Sequence, residues 1–289
     1  MRRGRAGYGA GTTVVITGGA GGIGSALAAE LDRRGATVVL ADLDGPAAEA
    51  AAARVGPRAR GVALDVRDGD AFAALVAEVE DEHGSLDVLV NNAGVGVAGP
   101  VEGLSAEHWR RALEVNVGGV VHGVAAAYPR MRARGAGQIV NMASLAGLVP
   151  LPLLVPYATT KHAVVGLSTS LRAEAAGSGV RVNVICPTAV STAMLERAVP
   201  DDLPAPDGDA AVHPGRYLTS EGLPAATTPE ALAAEAVDGM ARDRAVIVVP
   251  RAARRLWLAH RLAPGAFLRI TARNGRVERQ KAAGTGTPR

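Results

Sequence analysis

Thr13-Val-Val-Ile-Thr17 runs directly into Gly18-Gly-Ala-Gly-Gly22-Ile23-Gly24, and the reading of this stretch decides the fold. Five consecutive β-branched residues favour a short buried strand. A helical run over 25–34 follows the glycines, and Gly35 closes it. Strand, glycine-rich turn and helix in that order are the context a dinucleotide-binding loop requires. Gly18 permits the tight turn, Gly22 lets backbone approach a pyrophosphate, and Gly24 lets the helix pack on the strand. The free N–H groups at the helix start, around Ile23 and Gly24, suit phosphate oxygens.

The same alternation continues outward along the chain. Apolar strand patterns stand at 37–42, 61–65, 86–91, 138–142, 181–186 and 245–249, and helical patterns at 47–55, 70–83, 106–131 and 157–176 fall between them. Near-continuous Val, Ile and Leu in each strand means a parallel sheet buried on both faces. Right-handed crossovers then give a doubly wound α/β fold of the Rossmann type, seven strands with helices on both faces. Residues 12–250 read as one catalytic domain without a linker or internal repeat. Residues 1–11 read as a disordered basic leader. Residues 193–228 break the rhythm with five prolines and read as a substrate lid, in which His213 and Tyr217 are candidates to touch substrate. Thr228 caps the next helix, with Pro229 in its first turn.

Charge is unevenly placed. Residues 251–289 hold nine Arg and one Lys against the single acid Glu278, although the whole chain carries only +3. An acidic body with a basic tail does not suit a nucleic-acid binder, which presents basic charge across a folded face. Within 251–263, Arg251, Arg254, Arg255 and Arg261 gather on one helical side and Ala252, Leu256, Trp257, Ala259 and Ala263 on the other. Leu258 and Leu262 intrude on the basic side. Packing against the chain's own domain or a neighbouring subunit competes with peripheral contact of 251–270 with anionic lipid, and 274–289 are expected to be disordered. Cys186 is the only cysteine, which fits a reducing compartment. Met1-Arg-Arg-Gly-Arg5 is followed by no apolar secretory stretch, so a cytoplasmic, possibly membrane-associated location is expected. The six histidines and one cysteine show no metal-ligand spacing, and no metal is expected.

Asp42 ends the second strand eighteen residues past Gly24, where an acid meets the adenosine ribose hydroxyls. A carboxylate there repels a 2′-phosphate, so NAD is favoured over NADP. Farther on, Tyr157-Ala-Thr-Thr-Lys161 places two polar groups one helical turn apart. Lys161 and Lys281 are the only lysines in an arginine-rich chain, which hints at a role for a compact ammonium. A solvated helix face is the bland alternative.

The chain resembles the short-chain dehydrogenase/reductase family over about residues 12–250, in its compact single-domain form. The resemblance rests on Thr17-Gly-Gly-Ala-Gly-Gly-Ile-Gly24, Asn91-Asn92-Ala93-Gly94, Asn116 within Glu-Val-Asn-Val-Gly, Asn141-Met-Ala-Ser144, Tyr157-Ala-Thr-Thr-Lys161 and Pro187-Thr-Ala-Val190-Ser-Thr192, in that order. It implies Tyr157 as general acid/base, with a phenol brought below its usual value of about 10 by Lys161 and the oxidised nicotinamide. It further implies that Lys161 holds the nicotinamide ribose, Ser144 the substrate oxygen, and Asn116 a water-linked proton path. Asp65 and Val66 become adenine contacts, Asn91 to Gly94 the loop beside the adenosine ribose, and Val190 and Thr192 the carboxamide contacts. Hydride transfer of this kind needs no metal.

Two departures stand out: Thr188 follows Pro187 where the family has glycine, and Val248-Val249-Pro250 leads into the arginine-rich tail. Leu145, Leu148, Val149, Leu151, Leu153, Leu154 and Val155 offer an apolar wall, so a small apolar alcohol or carbonyl compound is the expected substrate, handled by a homodimer or homotetramer. A catalytically idle dinucleotide-binding sensor or scaffold is the rival reading, opposed by the intact Ser144, Tyr157 and Lys161. An epimerase or dehydratase is a second, opposed by the short segment after the seventh strand.

Overall fold

The computed structural model describes residues 7–206 and 226–284. Its strands are β1 (Thr13–Thr17), β2 (Thr37–Asp42), β3 (Ala59–Ala63), β4 (Val88–Asn91), β5 (Gly137–Met142), β6 (Val180–Pro187) and β7 (Val246–Val249). They form one sheet in the order β3-β2-β1-β4-β5-β6-β7, each neighbouring pair parallel. The fold is a Rossmann-type α/β sheet. Strand order reverses between β1 and β4, and a crevice opens there at the carboxyl ends of the strands.

Side-chain alternation along each strand supplies two apolar faces. Val14 and Ile16 meet Leu27 and Leu31 of α1 (Gly22–Arg33) and Leu232, Val237 and Met240 of α7 (Pro229–Ala241). Val15, Leu89 and Ile139 point the other way, to Phe72 and Val76 of α3 (Gly69–His83) and Met131 of α5 (Gly119–Arg134). Each such fully buried side chain contributes about 1.5–3 kcal/mol. At the sheet edge α2 (Gly45–Val55) lies directly on β3: a Cβ at Gly61 would overlap the Glu49 amide. α6 (Val155–Glu174) covers β6 and carries the Tyr157 and Lys161 motif.

Local chemistry sets the boundaries. Asp44, Asp68 and Thr228 accept from the Ala47, Ala71 and Ala231 amides and so cap α2, α3 and α7. The helix expected over 106–131 is instead two helices, α4 (Ala106–Leu113) and α5, joined by a π-helical turn at Glu114–Gly118. Asn116 sits in that turn, its side chain bonded to the backbone of Val95 rather than facing solvent. Gly119 next to it lets the turn close on Val66, where a Cβ would lie 2.8 Å from Cγ2.

Both ends are more ordered than their composition suggests. Of the leader, residues 7–11 are described, and Tyr8 is buried against the α1–α7 face of the sheet. The tail forms α8 (Arg254–Leu262) and α9 (Pro264–Gly284), so helix replaces the irregular chain expected from residue 274. Tertiary contacts account for this: Gly275 packs on Pro152, and Arg279 pairs with Glu102 at 3.0 Å. Residues 1–6 and 285–289 lie outside the described residues. So does 207–225 of the expected lid, with His213 and Tyr217.

Tyr8 belongs to a buried polar chain beneath the sheet. Its hydroxyl donates to Gln138 Oε1 at 2.9 Å, and Gln138 Nε2 donates to Asn183 Oδ1 at 2.7 Å. Asn183 Nδ2 in turn donates to the Arg244 carbonyl at 2.7 Å. Tyr8→Phe leaves Gln138 Oε1 buried and unpaired, which costs about 1–3 kcal/mol. The expected result in calorimetry is a Tm lower by roughly 2–4 °C for each kcal/mol; an unchanged Tm would show that the leader does not tie into the core.

Candidate active site

The crevice above β1 and β4 is a cleft of about 450 Å³ lined from both halves of the sheet. On the first half, glycine is demanded by close approach. Gly18 has φ +64°, and a Cβ there would stand 2.9 Å from Ala93 Cα; one at Gly24 would overlap the Gly18 carbonyl oxygen. Thr17 and Asn92 strap the loop to the strand across the crevice. Thr17 Oγ1 accepts from the Asn92 and Ala93 amides, while Asn92 Nδ2 donates to the Thr17 and Gly18 carbonyls at 2.9 and 3.1 Å. Gly18, Gly22, Ile23 and Gly24 all face the cleft.

Asp42 lines the same side, at the end of β2. Its carboxylate accepts from the Ala20 amide in the glycine loop at 3.0 Å and from the Asp44 amide at 3.3 Å. Asp65 and Val66 reach the cleft after β3. The Arg67 guanidinium, 2.6 Å from Asp65, holds that carboxyl below the usual carboxylate range. Arg67 and Arg111 also line the cleft, the latter paired with Asp202 at 2.7 Å. Sequence spacing does not reveal these two arginines, because they come from the turn after β3 and from α4 rather than from the loop or the residues after Asp42.

Within the Asn91–Gly94 strap, Asn92, Ala93 and Gly94 form cleft wall. Asn91 is turned into the protein, donating to Asn141 Oδ1 at 2.8 Å, and Asn141 donates onward to Ser168 Oγ at 2.9 Å. Asn116 stands just behind the wall, fully buried. Its Oδ1 accepts from the Val95 amide at 2.7 Å, and its Nδ2 donates to the Val95 carbonyl and Thr160 Oγ1. Gly94 keeps a gap open there: a Cβ would lie 3.0 Å from Asn116 Oδ1 and 3.5 Å from Lys161 Nζ.

Ser144, Tyr157 and Lys161 come together on the second half. Ser144 leaves β5 and caps a short 3₁₀ turn, accepting from the Ala146 amide at 3.1 Å and donating to the Pro187 carbonyl at 3.4 Å. Lys161 is not on a solvated face. It is 4% exposed, its ammonium donates to the Met142 carbonyl at 3.0 Å, and it lies 5.4 Å from the Tyr157 ring centre. Burial pulls its pKa down to about 8. For the Tyr157 phenol burial acts in the opposite direction and raises the pKa, against a smaller lowering by the neighbouring Ser144 hydroxyl. In the protein alone burial dominates the phenol, and the lowering expected from Lys161 and the oxidised nicotinamide together concerns the site with dinucleotide bound.

Val190 and Thr192 close the floor opposite the loop, with Thr192 Cγ2 3.0 Å from where a Gly22 Cβ would be. Thr188 has no positive φ, so its Cβ adds no backbone strain; its amide donates to the Val249 carbonyl at 2.9 Å. The expected apolar wall divides. Leu145, Leu151 and Leu154 face the cleft, Leu148, Val149 and Leu153 pack into the core, and Val155 is 36% exposed. Val97, Met194 and Leu195 complete it. Val97 sits in irregular chain and Met194 and Leu195 in a single 3₁₀ turn (Ala193–Leu195), segments too short or irregular to carry a periodic signal.

Residues 12–203 match the family model described as short chain dehydrogenase. The chain belongs to the short chain dehydrogenase family. A 2-(S)-hydroxypropyl-CoM dehydrogenase 3 of Xanthobacter autotrophicus is 39% identical over 239 residues, 81% of this chain and 91% of that protein. A D-beta-hydroxybutyrate dehydrogenase of Rhizobium meliloti is 41% identical over 127 residues, and there the match spans 44% of this chain and only 49% of that protein. A short chain dehydrogenase/reductase from Burkholderia phymatum, solved in complex with NAD, superposes with a TM-score of 0.81 at 30% identity. It covers 89% of this chain and 95% of that one.

The buried ammonium has a thermodynamic signature that an exposed lysine lacks. Because Lys161 binds its proton more weakly when folded, the unfolded chain holds more protons between pH 8 and 10.5, and this residue's contribution to stability rises with pH across that window. Relative to Lys161→Met, the parent should gain up to roughly 3 kcal/mol over that range. Chemical denaturation of both proteins at several pH values checks it; a pH-independent difference would mean that Lys161 ionises like a surface lysine.

Proposed function

We propose that this chain is an NAD-dependent oxidoreductase that moves hydride between the nicotinamide and an apolar secondary alcohol or ketone, with Tyr157 as general acid/base. The observation that carries the reading is the joining of half-buried Ser144 and Tyr157 with buried Lys161 on one wall of the cleft, across from the glycine loop. Bound dinucleotide would supply the hydride acceptor or donor and, when oxidised, a positive charge beside the phenol. Gly18 to Gly24 would hold its pyrophosphate, Asp42 its adenosine ribose, Asp65 and Val66 its adenine, and Val190 and Thr192 its carboxamide.

Ser144 Oγ would orient the substrate oxygen, since it already lies in reach of the phenol. In the reducing direction Tyr157 donates its proton to that oxygen. Its raised pKa keeps the proton on the phenol until the substrate carbonyl arrives. In the oxidising direction the phenol must release its proton, and the Lys161 ammonium favours the phenolate. Asn116 and Lys161 flank the gap beside Gly94, which offers the released proton a route. Leu145, Leu151 and Leu154 exclude water from the substrate end, which supports an apolar substrate.

Asp42 supports NAD over NADP. Its carboxylate is fixed by the Ala20 and Asp44 amides, and a 2′-phosphate would be set against it. Exposed Val101, Leu113 and Val121 around α4 and α5 support assembly as a homodimer or homotetramer.

A panel of secondary alcohols and ketones, followed at the nicotinamide absorbance, tests the reading. Tyr157→Phe is expected to lower kcat by about 10²-fold or more while leaving NADH binding within a few-fold; normal turnover would remove Tyr157 from the acid/base role. Asp42→Ala should reduce the NAD over NADP preference in kcat/KM by on the order of tenfold, and an unchanged ratio would leave Asp42 as a turn residue only.

A further inference from the structure

α8 and α9 present a basic outer face studded with aliphatic side chains. Their inner sides are accounted for: Leu256, Trp257 and Phe267 pack on the cluster containing Leu148 and Leu151, and Thr271 is buried. The outer sides are open. Leu258 and Leu262, one turn apart, are 50% and 85% exposed, and Leu268, Ile270 and Val277 are 51%, 61% and 41% exposed. Helical spacing sets Leu258 and Leu262 among Arg254, Arg255 and Arg261 on α8. On α9, Arg269, Arg273 and Arg276 run down the outer side, with Leu268 on one shoulder and Ile270 and Val277 on the other. Residues 251–277 contain no acid. Among the described residues none of those six arginines has a carboxylate partner, whereas Arg251 and Arg279 at the two ends pair with Glu235 and Glu102.

We infer that this face docks on an anionic lipid surface, with α8 and α9 lying in the headgroup plane. Leu258, Leu262 and Ile270 enter the acyl boundary and the arginines meet lipid phosphates. Charge complementarity selects the occupant. A second copy related by a two-fold axis would set the same arginines against one another. A nucleic acid would satisfy the arginines but leave the leucines against a phosphate backbone. An acidic bilayer satisfies both. Arg261 stacks 5.5 Å from the Trp257 ring centre, a pairing suited to the headgroup layer. No helix among the described residues is long and apolar enough to cross a membrane. The docked face adjoins the substrate side of the cleft, because α9 rests on Pro152 and Glu102. The inference does not depend on the reaction proposed above.

The test is co-sedimentation of the full chain with vesicles of phosphatidylcholine, with and without phosphatidylserine. Binding is expected only with phosphatidylserine, and it should fall steeply between low and high salt. Arg254→Gln, Arg255→Gln and Arg261→Gln should each lower the partition coefficient by roughly fivefold. Leu258→Asp with Leu262→Asp should lower it by at least about tenfold without moving Tm, since both side chains are exposed. Equal sedimentation with neutral vesicles, or wild-type affinity in the double leucine variant, would overturn the inference. So would tighter binding to duplex DNA that is indifferent to the leucine changes, or a sedimentation-velocity dimer abolished by those changes in a chain that ignores vesicles.

Discussion

Close backbone approach at the β1–β4 crossing is the constraint on which the rest of the molecule depends. Gly18 must stand against Ala93, and Gly24 against the Gly18 carbonyl, at separations a side chain would forbid. Thr17 and Asn92 can then span the crevice with four hydrogen bonds and hold the loop open-faced. The same approach aligns the amides of the α1 start with the cleft, where an anion is stabilised by unpaired donors and the helix dipole. Remove that fit and the two halves of the sheet no longer share a site.

Burial then does two opposite things to Tyr157 and Lys161. It weakens proton binding by Lys161 and strengthens it on Tyr157. Both shifts favour the neutral form of each group. Such a site favours the neutral phenol until charge is brought to it.

Much of this was legible in the residues. The β-branched run before Gly18, the alternation of apolar strands and helices, and the caps at Thr228 and Gly35 forecast the sheet because they obey local rules. Gly18 and Asp42 are legible from the spacing of loop and strand end, and Ser144 and Tyr157 from the family resemblance; all four line the cleft. Asn91 was placed on the cleft by its motif, yet its amide is spent on Asn141 inside the core. Arg67, Arg111, Val97 and Met194 were missed because only tertiary folding brings them to one wall. The upward pull of burial on the Tyr157 phenol has no sequence signal for a related reason: desolvation is a property of packing and has no sequence period. Leu258 and Leu262, which spoiled the helical segregation of the tail, turn out to be its exposed aliphatics.

The tail and the cleft meet at the loop carrying Leu151 and Pro152, so a single surface helix pair supports the wall that a substrate would touch. The central claim, that this cleft transfers hydride directly, is tested most directly with NADH carrying deuterium at both nicotinamide C4 positions and a responsive ketone. Mass spectrometry of the alcohol product should show one deuterium at the carbinol carbon and none exchanged with water. Product formed without the label, or with the label washed into solvent, would contradict the account.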